Sequence, residues 1–328
     1  MLAVPAGRGQ LAEDEYVPAV TTSDDREPAM PTWGVHTGLQ NTTTDELRSL
    51  WRRIEQLGFD WISIWDHFYA ADLATPECHE AVSSHAALAC TTERVRVGSL
   101  VYCTSYRHPA VLANAMATID HLSGGRAVLG LGAGWAANEF AAYGIPFPGP
   151  GERLDILEEA IECIHGLLRD EVTDFHGQHF TLTDARCEPK PVQEQLPIWV
   201  GGGGEKRTLA IAARWADGWN VPYVSPEQFA HKRRVLHDHC TGAGRDPAAI
   251  ACTVNVGAAL DEAALQAQFG NIAEVVRPGV LLGSVEQMVD QVGRYVEVGV
   301  DQVNLAVRAP WDPGVLDRVA EVMAASAA

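Results

Sequence analysis

The sequence predicts an α/β protein: a (β/α)8 TIM barrel carrying insertions. Three observations point there. Short apolar runs alternate with helix-period segments about eight times, and strand followed by helix means a parallel sheet. The 328 residues suit a barrel, which takes about 250 with room for extra loops. Residues able to bind or react cluster just after the apolar runs, where the mouth of a barrel lies. A doubly wound open sheet is the structural rival.

Residues 1–30 come first, and they differ from the rest. They mix Gly, Pro, Ser, Thr, Asp and Glu with no apolar period, so a disordered leader is expected. Met30 directly precedes the first apolar run and is an alternative start. Residues 31–328 are expected to form a single domain. The strand-like runs are 33–37, 59–65, 95–101, 126–131, 198–200, 218–221, 250–257 and 302–307.

The helices between them carry start signals and stripes. Leu47, Leu50, Trp51 and Ile54 recur at helical spacing, and Thr43 with Glu46 forms a capping box ahead of them. Pro109 opens the next clear helix at a tolerated first-turn position, with Leu112, Ala115, Met116 and Ile119 on one face. Leu157, Ala160, Ile161, Ile164 and Leu168 mark a longer one. Ser284 and Gln287 cap the helix of Val285, Met288, Val289, Val292 and Val296.

Two stretches break the rhythm. Residues 138–151, rich in Pro and Gly, delay the fourth helix. Residues 174–195 read as a hairpin placed before the fifth strand. The first follows a strand and so belongs to the mouth.

Composition excludes several classes. A formal net charge of −19 repels nucleic acid and anionic membrane, since nucleic-acid binding rests on Lys and Arg. No apolar stretch approaches the roughly 20 residues that span a bilayer. No signal-peptide pattern opens the chain, so a cytoplasmic protein is expected. Seven scattered cysteines without a C-x-x-C pair give neither a disulfide framework nor a zinc site, and most read as core fillers. His176 and His179 flank Gly177 and Gln178 with no evident third ligand, and no metal is expected.

Four motifs could carry chemistry. In LGLGAGWAANEF, Gly132, Gly134 and Ala137 satisfy G-x-G-x-x-A after a strand. A dinucleotide fingerprint is one reading, but Pro146 and Pro148 interrupt the helix it needs. A tight turn at a barrel strand end is the other. Asp66 and His67 follow the second run directly. A histidine at a mouth can move a proton near neutral pH, while a buried histidine beside a helix-capping aspartate is the plainer reading. Ser99, Tyr102, Thr104, Tyr106 and Arg107 follow the third run as turn residues or as one wall of a mouth. Finally, Gly201, Gly202, Gly203 and Gly204 stand between the fifth run and a helix. Bare N–H groups at a helix start attract phosphate, and the alternative is a slack loop.

Taken together, the stretches LGFDWISIWDHF, RVRVGSLVYCTSYRHPAVLANAMATIDHLSGGRAVLGLGAGWAANEF, PKPVQEQLPIWVGGGGEKRTLAIAARWADGWN and LLGSVEQMVDQVGRYVEVGVDQVNL resemble the luciferase-like monooxygenase superfamily. The match runs from about residue 33 to 307 and is closest to the branch using coenzyme F420. The resemblance implies hydride transfer at C5 of the deazaflavin. It implies His67 as acid/base beside the ring, with Asp66 next to it as a cofactor-binding residue. It implies Leu100 and Val101 as a bulge backing the ring, often through a non-prolyl cis peptide. Ala133 and Gly134 would approach the cofactor, and Gly202, Gly203 and Gly204 would hold its phosphate. Relatives that oxidise glucose 6-phosphate carry a glutamate where Trp135 stands, so Trp135 implies a flatter or more apolar substrate in the pocket. A homodimer is usual in the superfamily. The alternatives are an FMN-dependent monooxygenase, supplied with reduced flavin by a partner reductase, and a non-catalytic flavin-binding barrel.

Overall fold

The computed structural model describes residues 30–70 and 77–326. The leader expected over residues 1–30 therefore lies, but for Met30, outside the described residues. Eight parallel strands close on themselves: β1 (Thr32–Thr37), β2 (Trp61–Ile64), β3 (Arg96–Ser99), β4 (Ala127–Gly132), β5 (Ile198–Gly201), β6 (Gly218–Pro222), β7 (Ala251–Ala259) and β8 (Gln302–Val307). β6 pairs with β7, β7 with β8 and β8 with β1, which completes the ring. An open sheet has two edges and this one has none, so the doubly wound rival is excluded.

The third strand is shorter than its apolar run. β3 stops at Ser99, a cis peptide joins Leu100 to Val101, and Tyr102–Cys103 then resumes pairing with β4. Val101 thereby swings toward β4 and β5. A Cβ on Gly132 would stand 2.5 Å from Val101 and one on Gly201 2.6 Å from it. A Cβ on Gly130 would meet the carbonyl oxygen of Ser99 at 2.0 Å. These glycines are needed because the bulge occupies the space that side chains would take.

Both expected capping boxes form. Glu46 N–H donates to Thr43 Oγ1 at 3.2 Å, and Thr43 N–H donates to the Glu46 carboxylate at 2.8 Å. Ser284 and Gln287 do the same. The sequence reading missed a third box, Ser225 with Gln228, before helix Pro226–Gly242. The interrupted stretch 138–151 is partly helical. Ala137–Tyr143 ends at Gly144 with φ +67°, and Pro150–Arg169 starts on its proline. The second interruption is a hairpin, Thr173–His176 against Thr181–Ala185, whose turn is pinned by the Glu159 carboxylate. Two features went unanticipated: helix Glu262–Phe269 after β7, and a short strand Val280–Leu282 that pairs with the end of β7.

Inside the barrel, Trp61 and Trp199 stack with ring centres 4.6 Å apart. Strand glycines make room for them: a Cβ on Gly98 would lie 2.3 Å from Trp61, and one on Gly218 would lie 2.4 Å from Trp199. Leu100 and Val128 join the pair to form a sealed apolar floor.

Candidate active site

A cavity of about 1410 Å³ opens at the mouth. Drug-sized sites usually measure about 300–1,000 Å³, so this one has room for two molecules. Its walls include His67, Leu100, Val101, Ala133, Gly134, Trp135, Gly201 and Gly202. Seven of the expected site residues, Asp66 among them, come from the ends of β2, β3 and β4 and thus face one space. Gly203 and Gly204 are not among the lining residues.

His67 follows β2 and leans on the helix after β4. Its Nδ1 lies 3.0 Å from Glu139 Oε1. Glu139 also accepts from the Tyr106 hydroxyl at 2.7 Å and from Tyr69 N–H at 3.3 Å. Burial opposes ionisation of Glu139, but hydrogen bonds from His67 and Tyr106 outweigh it and hold the carboxyl below the usual range. Burial and the bond to Glu139 push the Tyr106 phenol up. An ionised carboxylate only accepts, so Nδ1 of His67 keeps a proton. Nε2 is then the free basic atom of the neutral ring. Trp65 and Trp135 meet the His67 ring edge-on, at 5.2 and 5.3 Å between centres.

Asp66 has a different commitment. Arg107 grips both its oxygens, at 2.6 and 2.9 Å, and Cys103 N–H donates at 2.9 Å. Arg107 also reaches Glu80 at 2.8 Å. The side chain of Asp66 thus ties β2 to the bulge after β3. Of the five polar residues expected after the third run, Ser99, Tyr102 and Thr104 are buried. Ser99 bonds both N–H and C=O of Gly130, and Tyr102 bonds His85. Only Tyr106 also lines the cavity.

The glycine run makes a backbone cradle. Gly202 has φ +126°, which only glycine adopts freely. Gly204 sits tight against Thr208, which opens helix Thr208–Trp215; a Cβ there would lie 2.7 Å from its hydroxyl. Among the described residues, the N–H groups of Gly203 and Gly204 have no acceptor. Lys232 backs the loop, donating to Gly203 O at 2.8 Å and to Glu205 at 3.1 Å. Helix Ala137–Tyr143, which follows Gly132 and Gly134, is too short for the dinucleotide reading. Gly134 (φ +77°) instead packs on Cys103, 2.6 Å from a would-be Cβ.

Three functional candidates escaped the sequence reading. Glu139 sits 72 positions from the histidine it holds. Its one signal was its place, in the first helical turn after β4 at the mouth. His36 ends β1, bonds Ser63 at 2.9 Å, and is pushed down to about 3 by burial and by the charges of His67 and Arg308. Arg308 follows β8 directly. Beside these three, Asn220 lines the same wall, donating to Thr253 at 2.9 Å and Asn255 at 3.0 Å.

Residues 29–275 match the family described as luciferase-like monooxygenase. The chain belongs to that family. Among the relatives of this luciferase-like chain is an uncharacterized protein of Mycobacterium tuberculosis, Rv0953c, 31% identical over 64% of this chain and 71% of its own length. The F420-dependent glucose-6-phosphate dehydrogenase of Intrasporangium calvum is 38% identical over 51% of this chain and 50% of its own. The chain thus spans about half the length of that dehydrogenase. Among solved structures, an F420-dependent secondary alcohol dehydrogenase superposes with TM-score 0.82 at 20% identity, covering 91% of this chain and 99% of its own. The long-chain alkane monooxygenase LadA gives 0.76 at 16%, over 90% and 91%. Both share the barrel. No described helix is long and apolar enough to cross a membrane. Among the described residues, no cluster of His, Cys, Asp and Glu is placed to hold a metal.

Proposed function

We propose that this chain is an F420-dependent oxidoreductase, moving a hydride between C5 of the deazaflavin and a small organic substrate. The observation that carries this is His67, fixed through Nδ1 by Glu139 and facing the cavity beside the Leu100–Val101 bulge. The F420-dependent relatives support the cofactor. When bound, the deazaflavin supplies an obligate hydride carrier that reacts poorly with oxygen.

The residues present suit such a group. Leu100 and Val101 offer a flat apolar backing; Gly203 and Gly204 offer unpartnered N–H groups where a phosphate would be held, while the Gly202 N–H is taken by Asn220 O at 2.9 Å. His67 Nε2 takes the proton from a substrate hydroxyl, or returns it to a carbonyl oxygen. Glu139 stabilises the imidazolium that forms. Trp65 shields one side of the His67 ring, while Trp135, itself 66% exposed, stands at the outer side.

Purified protein should be mixed separately with F420, FMN and NADPH, and binding read by fluorescence. Binding of F420 in preference to FMN is expected. FMN binding without F420 binding would favour a flavin monooxygenase. His67→Ala should keep cofactor affinity and lose turnover by about 100-fold or more, the usual worth of a general acid/base. Unchanged turnover would remove His67 from the reaction.

A further inference from the structure

The cavity wall opposite the bulge is built from the strand ends of β1, β6, β7 and β8. There His36, Tyr223, Asn255 and Arg308 line the space, and Phe269 from helix Glu262–Phe269 folds over them. Arg308 is the one lysine or arginine among the lining residues. Its guanidinium carbon stands 5.6 Å from the centre of the Phe269 ring, and its charge is felt by both His36 and Tyr223. Among the described residues no carboxylate lies within ion-pair distance of it.

The two carboxylates that line the same cavity have other work. Asp66 is gripped by Arg107. Asp312 is exposed and accepts from Gly314 N–H at 2.9 Å, where the last helix opens. In a chain with net charge −19, a cation inside a cavity without a counter-charge is a conspicuous expense, because a half-buried charge costs free energy unless paired.

We propose that the substrate is an organic acid whose carboxylate pairs with Arg308, beside the Tyr223 hydroxyl. This rests on the oxidoreductase reading above. A guanidinium presents two parallel N–H donors that match a carboxylate. A phosphate dianion calls for more positive charge than this wall offers. Phe269, Ile272 and Ala306 supply an apolar surface for the body of the acid, and its reacting carbon points back toward His67. The rival account is that Arg308 only stacks on Phe269, a contact worth about 0.5–2 kcal/mol. That account predicts no preference for anions.

The test uses two probe pairs, fluorobenzoate with fluorobenzamide and hexanoate with hexanamide, titrated by NMR into the full-length protein with and without F420. In at least one pair the acid should bind about tenfold tighter than its amide, one charged hydrogen-bonded contact's worth. Arg308→Gln should erase that preference, Arg308→Lys should retain part of it, and neither should change F420 binding read by fluorescence. Equal binding of acid and amide in both pairs overturns the proposal, as does a preference that survives Arg308→Gln. Displacement of the acid by an equal concentration of inorganic phosphate would assign the wall to a phosphate ester instead, and so overturns it too. If F420 fails to bind the wild-type protein, the F420 reading falls. The acid preference, measured without cofactor, is judged separately.

Discussion

The two walls of the cavity are made in opposite ways. The wall of β3, β4 and β5 is shaped by missing side chains. Gly130, Gly132 and Gly201 stand where any Cβ would collide with Ser99 or Val101. The wall of β1, β6, β7 and β8 is made of present ones: His36, Asn220, Asn255 and Arg308. One wall is set by contact and leaves no room for growth. The other is set by hydrogen bonds and charge, and it is sensitive to polarity more than to size. A site that holds a flat ring needs the first kind of wall. A site that chooses among substrates needs the second.

The hardest way to break this contrast is to release the shaped wall from behind. Asp66 anchors the bulge through Cys103 N–H and Arg107. Asp66→Ala leaves a mostly buried guanidinium with only Glu80 for a partner, and should cost about 3–5 kcal/mol in urea unfolding. A loss below about 1 kcal/mol, the worth of a surface pair, would show that the bulge holds itself.

A smaller effect tests the contact directly. Gly201→Ala should cost about 1–3 kcal/mol through overpacking against Val101. Val101→Ala in the same chain should return part of that loss, since touching residues couple. Strict additivity in this double-mutant cycle would mean that the crowding is relieved elsewhere.

The last test belongs to the polar wall and is small near neutral pH, growing only as the solution is acidified. Folded His36 is pushed from its usual 6.5 down to about 3. Below pH 6.5 the unfolded chain takes up a proton that folded His36 refuses. Stability is therefore full above that range and declines as pH falls from 6.5 toward 3. His36→Asn should flatten this part of the stability curve. An unchanged slope would place the acid sensitivity on other groups.

The barrel was legible because its signals are local. Alternating runs, capping boxes at Thr43 and Ser284, and Pro109 at a helix start each act within a few residues. His67 was legible by position, directly after an apolar run. Glu139, His36 and Arg308 were not, because each matters only through a neighbour on another strand end. No spacing in the chain records that Glu139 meets His67. The glycines were half legible. Their oddity showed in the sequence, but a bulge in β3 explains Gly132 and Gly201, and a chain position cannot reveal which side chain leans on it. The cis link between Leu100 and Val101, implied by family resemblance, is present.

Trp61 and Trp199, stacked across the bottom of the barrel, close the chamber on that side and leave the mouth for entry. Under the proposed function two guests, cofactor and substrate, share that mouth, and the cofactor is expected to bind first. Inhibition by excess substrate would follow if the second guest ever blocks the threshold before the first has passed.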